Sequence, residues 1–208
     1  VSTDNTYSAC RDFSVVGQER LVVETDAVRL EDEELRKSWA ESDSYGNEKL
    51  QVEELLAQPT CPVTRYVSLR LCDVIGPFDS TQRCFSLYAW LSVGASFPLF
   101  VAPLSEGRPL SLVFSEDVAK LVSLLVKSKN VPNGAYNVCG DDMWTLKQFL
   151  SHYAHSCGFP EPNFNSDENK EDCFCEELIP SVDYPISNAK LKNAVPEWTP
   201  TPLNEVCQ

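Results

Sequence analysis

Three short apolar runs, each leading toward a stretch with helical character, set the strongest limit on how this chain can fold. "VTRYVSLRLCDVIGP", residues 63–77, is short and rich in β-branched residues. It reads as one buried strand, ended by Gly76-Pro77. "PLSLVFSEDVAKLVSLLVKS" reads as a short strand and then a helix opening at Ser115, Glu116 and Asp117, where acids suit the helix dipole. Its apolar residues (Val118, Ala119, Leu121, Val122, Leu124, Leu125) cover most of the circumference, which predicts a well-buried helix. "GAYNVCG" reads as a further buried strand. In "TLKQFLSHYAHSCG" Thr145 and Gln148 make a capping box, and Leu146, Phe149, Leu150, Tyr153, Ala154 and Cys157 share one face. Gly158 closes that helix. Short strands alternating with helices predict an α/β domain on a mostly parallel sheet.

The remaining stretches are less regular. Residues 13–44 are charged and broken and read as a long excursion, with "ETDAVR" as a turn or short helix. Ser and Asp residues at 42–44 supply N-cap chemistry for a helix from about Tyr45 to Ala57, with Val52, Leu55 and Leu56 on one apolar side. Residues 160–184, which include the "DENKED" run, read as an acidic surface loop. Residues 84–104 carry no charge and are just long enough to span a bilayer. Their three Ser, one Gly and two Pro, with no flanking basic cluster, favour a helix and loop in a substrate-covering lobe.

A length of 208 residues suits one domain, or a core with a small second lobe. A hydrophobic content of 43% is enough for a core, and a net charge of −14 makes nucleic acid a poor partner. Nine cysteines are scattered with no CxxC. Cys173 and Cys175 form a lone CxC, so no zinc site is expected. Reduced, structural cysteines and the lack of a visible signal peptide point to a cytoplasmic protein, and the first residue, Val1, to a processed chain or a fragment.

"SYGNEK" places Tyr45 and Lys49 one helical turn apart, on the same face. An ammonium beside a phenol favours the phenolate, and such a tyrosine can act as general acid or base on an alcohol or carbonyl. That chemistry calls for a nearby hydroxyl at a strand end, and "VSTDNTY" supplies one among Ser2, Thr3 and Tyr7, with the acid Asp4 beside them.

With these residues the chain resembles the extended short-chain dehydrogenase/reductase family, also called the NAD-dependent epimerase/dehydratase family. There an "STD…Y" segment ends the fifth strand, and "YGxxK…E" follows a few tens of residues later. Thr3 matches the hydroxyl, and Tyr45, Lys49 and either Glu53 or Glu54 match the second motif. "LRLCDVIGP" is similar to "LRPxNVYGP", "LVFSEDVAKLVSLLV" to "FVYVDDVARAI", "GAYNVCGDDMWTLKQFL" to "GVYNVGGGEPTSLREL", and "ISNAKLKNAVPEWTPTPLNEV" to "DNSKARRLGWKPTTSLEE".

The resemblance implies the C-terminal portion of a Rossmann-like, doubly wound parallel sheet plus a small substrate lobe. Residues 1–80 would be the second half of the cofactor domain, and residues 81–208 mainly the substrate lobe, with elements near 110–150 returning to the core. It implies NAD or NADP as cofactor and a small-molecule carbonyl, alcohol or sugar-like substrate. Thr3, Tyr45 and Lys49 would be catalytic. Tyr45, Lys49, Leu71 and Val74 would meet the cofactor, and Asp4, Asp73 and Arg108 the substrate. No metal is implied. A homodimer through the Tyr45–Lys49 helix is.

Three departures limit the likeness. The 208 residues hold no glycine-rich GxxGxxG turn to seat a pyrophosphate, as though the chain began at the fifth strand. Asp73 stands where nucleotide-sugar enzymes have Asn, and Leu110 stands near where they have Arg, with Arg108 close by. A carboxylate at 73 would repel a diphosphate, which counts against a UDP- or dTDP-sugar. Asn5 replaces the Glu that follows Asp4 in the dehydratase branch, so 4,6-dehydratase chemistry is not expected. The alternative is a non-catalytic NAD(P)-sensing or regulatory module of the same fold. Alone, these 208 residues are expected neither to bind NAD(P) tightly nor to melt cooperatively, because an exposed sheet edge invites aggregation. His152 and His155 are expected to face solvent, opposite the apolar side of their helix.

Overall fold

The computed structural model describes residues 1–10, 20–63, 65–93, 99–100, 107, 109–128, 130–165 and 184–206. Strands β1 (Ser2–Thr3), β2 (Val67–Leu71) and β6 (Gly134–Val138) form a parallel sheet in the order β1-β2-β6. Ser2 stands opposite Arg70 and Leu71 opposite Val138. A second parallel pair joins β3 (Asp73–Ile75) to β5 (Leu112–Phe114), and a third joins β4 (Leu99–Phe100) to β7 (Phe164–Asn165).

The run expected to be one strand is therefore two. The Cys72 N–H still donates to the Val138 carbonyl at 3.3 Å, and the next residue joins β5 instead. Alternation along this ribbon makes it a wall between two cores. Val74 and Val113, opposite each other, face a core that includes Leu69, Leu121, Val138 and Leu191. Ile75 and Leu112 face another, built on Leu87, Trp90, Phe149 and Leu150.

The same alternation puts helices on both faces of the main sheet. Ser68 and Arg70 of β2 reach Glu53 on helix α2 (Ser44–Ala57). Val67 and Leu69 instead share a groove with Val122 and Leu125 of helix α4 (Ser115–Lys127). Only one stripe of α4 meets the sheet, so Val122 and Val126 are exposed and the helix is less buried than its composition predicts. Its Asp117 is wholly buried and accepts hydrogen bonds from the Thr201 N–H at 2.6 Å and the Thr201 hydroxyl at 2.9 Å. The C-terminal segment is pinned to α4 through this carboxylate.

Helix α1 (Glu33–Ser42), capped by Asp32, lies in the stretch that reads as a broken excursion, while Glu24–Asp26 is the expected short turn, a 3-10 helix. Helix α2 begins at the expected cap: the Asp43 carboxylate accepts from the Gly46 N–H at 2.8 Å. Its apolar side is turned the other way, however. Gly46, Leu50 and Glu53 are buried, whereas Val52 and Leu55 are more than half exposed. The reason is Glu53, which must reach Arg70 and so rotates the helix.

Helix α3 (Arg83–Ser92) buries Leu87, Trp90 and Leu91. Among the described residues no helix is long and apolar enough to cross a membrane. Helix α5 (Leu146–Ser156) has the expected capping box and ends with Gly158 at φ +79°. Against expectation, His152 is half-buried and packs edge-on to Trp144 at 4.9 Å, while His155 is exposed beside Glu161. Short helices α6 (Ala189–Ala194) and α7 (Leu203–Val206) complete the chain. Most of the acidic stretch at 160–184, with Cys173 and Cys175, lies outside the described residues, as does much of 94–106. The six described cysteines are free thiols, and Cys72 and Cys139 sit just past the ends of β2 and β6.

Candidate active site

A cleft of about 340 Å³ opens where β1 and β2 end, its walls including Thr3, Asp4, Tyr45, Leu71, Asp73, Val74, Phe78, Asp79 and Arg83. Open parallel α/β sheets take ligands at this carboxyl end. Six of the eight residues singled out from the sequence thus meet at one place. Lys49 stands just behind, its ammonium 5.4 Å from the centre of the Tyr45 ring. Arg108 lies outside the described residues. Leu110 is buried in the second core.

Gly46 explains how Tyr45 comes to this wall. A Cβ there would lie 2.2 Å from the Asn5 carbonyl oxygen, so only glycine lets α2 press against the turn Asp4–Thr6. The Asn5 amide donates to Asp43 at 3.3 Å and ties that turn to the helix cap. Tyr45 itself is 54% exposed.

Thr3, the last residue of β1, caps the turn by accepting from the Asn5 N–H at 3.3 Å. Its hydroxyl has two acceptors in reach, Asn5 Oδ1 at 2.9 Å and Asp4 Oδ1 at 3.2 Å. One proton serves only one of them at a time. Asp4 is almost wholly buried. Burial first, and then the Asp73 carboxylate, push its carboxyl up to about 8, against the opposing hydrogen bond from Thr3. Asp4 is therefore a neutral acid near pH 7.

Asp73 does not confront the cleft as a bare charge. The Arg83 guanidinium lies 2.8 Å from its Oδ1 and makes an ion pair with it. The repulsion of a diphosphate expected from Asp73 alone must be restated for the pair. Arg83 also donates to the Thr81 hydroxyl at 2.9 Å. Asp79 completes this wall. Burial works against its charge, but hydrogen bonds from Thr81 and the Arg83 N–H hold its carboxyl below the usual range. Sequence reasoning missed Arg83. The available signal was the acid of "DST" four residues ahead, since the Asp79 carboxylate accepts from the Arg83 N–H at 3.1 Å and fixes that first helical residue beside the cleft.

The same wall carries backbone strain. Phe78 has φ +67° and Gln82 φ +56°, and a bulky side chain at such a φ costs roughly 1–3 kcal/mol.

Beneath the cleft, Glu53 is the acid that α2 sends inward, paired with Arg70 at 2.6 Å. Glu54 faces outward to Arg29 at 2.7 Å. Arg70 also donates to the Tyr7 hydroxyl at 3.0 Å and the Glu24 carbonyl at 3.1 Å. An arginine inside an otherwise apolar strand was the signal that this acid had to exist. Among the described residues no group of His, Cys, Asp and Glu could hold a metal ion.

No protein-family model and no curated protein sequence matches the chain. Solved structures do. A UDP-glucose-4-epimerase from Stenotrophomonas maltophila, with bound NAD and formylated UDP-arabinopyranose, has a TM-score of 0.65 at 16% identity, over 99% of this chain and 59% of that one. RMD from Pseudomonas aeruginosa, complexed with NADPH, has a TM-score of 0.64 at 14% identity, over 99% and 62%. The Bordetella bronchiseptica enzyme WbmH, in complex with NAD+, has a TM-score of 0.61 at 19% identity, over 99% and 58%. The chain spans about three-fifths of the length of these structures. Its fold is the doubly wound, Rossmann-like α/β fold that they share.

Proposed function

We propose that this chain carries the proton-transfer half of an NAD(P)-dependent oxidoreductase or epimerase of the extended short-chain dehydrogenase/reductase type. The observation that carries the reading is the convergence of Thr3, Asp4, Tyr45, Leu71, Asp73 and Val74 on one cleft at the strand ends, with Lys49 behind Tyr45. Neighbours of the same fold with bound NAD+ or NADPH support it.

The residues present fit the nicotinamide end of such a cofactor. Leu71 and Val74 offer an apolar strand-end surface, and Tyr45 and Lys49 offer donors to its ribose. NAD or NADP supplies the hydride acceptor or donor when bound. Tyr45 passes a proton to or from the reacting oxygen. Lys49, behind Tyr45, orients the ribose. Thr3 turns its hydroxyl from Asn5 to the same oxygen and holds it. Asp4 donates from its neutral carboxyl to a second substrate oxygen. Val52 and Leu55, exposed on α2, would serve pairing of two such proteins.

The test is calorimetry of NADH and NADPH with the full-length protein, beside turnover on carbonyl and alcohol substrates. Tyr45→Phe should keep cofactor affinity within about twofold and lower turnover by roughly 10²–10⁴. Cofactor binding with no turnover in either protein would make it a sensing module instead. A folded protein that binds neither cofactor would end the proposal.

A further inference from the structure

The turn that walls the cleft, residues 76–83, has side chains that the proposed reaction leaves unused. Phe78 is fully exposed, yet it is not a loose surface residue. The turn beneath it is held by the Asp79 N–H to the Gly76 carbonyl at 3.3 Å and the Gln82 N–H to the Asp79 carbonyl at 3.2 Å. Asp79, Thr81 and Arg83 brace it further. A braced turn thus holds Phe78 fully exposed at the cleft's edge, in a backbone conformation that bulky residues avoid.

The charges on the same wall point the same way. Asp73 and Asp79 stand against Arg83, so two carboxylates face one guanidinium. Arg83 is already engaged by Asp73 and Thr81. A phosphate could take Arg83 only by leaving Asp73, which is almost wholly buried, without its cation.

We propose that this cleft selects an uncharged alcohol or ketone bearing an apolar ring, which stacks on Phe78 while the Asp73–Arg83 pair excludes anionic groups. This rests on the reading of the cleft as the substrate site and names the substrate class.

Saturation-transfer NMR on the full-length protein tests it without requiring turnover, with 1-phenylethanol and UDP as probes. The ring protons of 1-phenylethanol should receive saturation, and UDP should not. Phe78→Ala should weaken 1-phenylethanol binding on the order of fivefold without lowering the thermal midpoint. Asp73→Asn frees Arg83 and should raise UDP affinity about tenfold. Saturation of UDP but not 1-phenylethanol in the native protein overturns the proposal. So does an unchanged affinity in Phe78→Ala. If neither probe binds while NAD(P)H does, the substrate class is wrong and the reaction stands. If 1-phenylethanol binds through Phe78 but no cofactor binds, the site is right and the reaction is wrong.

Discussion

Two arginine–carboxylate pairs lie close together on this chain and do opposite things. Arg70 and Glu53 sit under the sheet at 2.6 Å, with the remaining polar atoms taken up. Ser68 donates to Glu53 at 3.0 Å, Arg70 bonds Tyr7 and Glu24, and the guanidinium lies 4.9 Å from the centre of the Tyr7 ring. Arg83 and Asp73 lie 2.8 Å apart on a cleft wall, and a second acid, Asp4, shares the cleft. An ion pair alone does not tell scaffold from site. What separates them is place, because one pair is closed off beneath the sheet and the other lines a cleft that can admit a ligand.

The largest expected effect tests the scaffold. Arg70→Met leaves Glu53 buried without its cation and should cost about 3–5 kcal/mol in urea unfolding. An unchanged midpoint would erase the distinction between the pairs. The next effect sharpens the site. Asp4 keeps its proton in the folded protein up to about pH 8 but loses it near 3.8 when unfolded. The unfolded state therefore binds fewer protons across that window, and stability falls as pH rises through it. Between about pH 6 and pH 8 the native protein should lose about 2 kcal/mol that Asp4→Asn does not lose. Parallel pH curves for the two proteins would show that Asp4 is an ordinary carboxylate. The smallest effect is Arg83→Met, at about 1–2 kcal/mol, because the Arg83 side chain is 18% exposed against 5% for Arg70, so water at the cleft wall replaces part of what is lost. A loss as large as that of Arg70→Met would make this pair scaffold too.

What the sequence discloses divides along local and non-local lines. Caps are local, and Asp43, Thr145 with Gln148, and Gly158 are all where the pattern puts them. The helix at Tyr45 is legible for the same reason, whereas the strand end at Thr3 is read from the family resemblance, since pairing with β2 defines that strand. The break at Cys72 is not, since "LRLCDVI" is continuous in β character and only its two partner strands divide it. Val52 and Leu55 mislead because a buried Glu53–Arg70 pair overrides the apolar face, and the identity of that pair depends on β2. Helix α1 is mostly polar and buries no residue, so its thin Leu35–Trp39 stripe is outweighed by the charges around it. Phe78 looks ordinary in sequence, and only its φ and its exposure on the cleft single it out.

The β3–β5 ribbon, one residue past the main sheet, is a partition with a core leaning on each side. The cleft lies at its end, walled by Thr3 and Tyr45 on one flank and Phe78 and Arg83 on the other. A molecule gripped from both flanks is then a fastener between two separately packed halves. Its binding energy is added to their cohesion, and any slackening between them is felt as lost affinity. Grip on the ligand and the grip of one half on the other become a single quantity, set at the seam where the chain changes sheets.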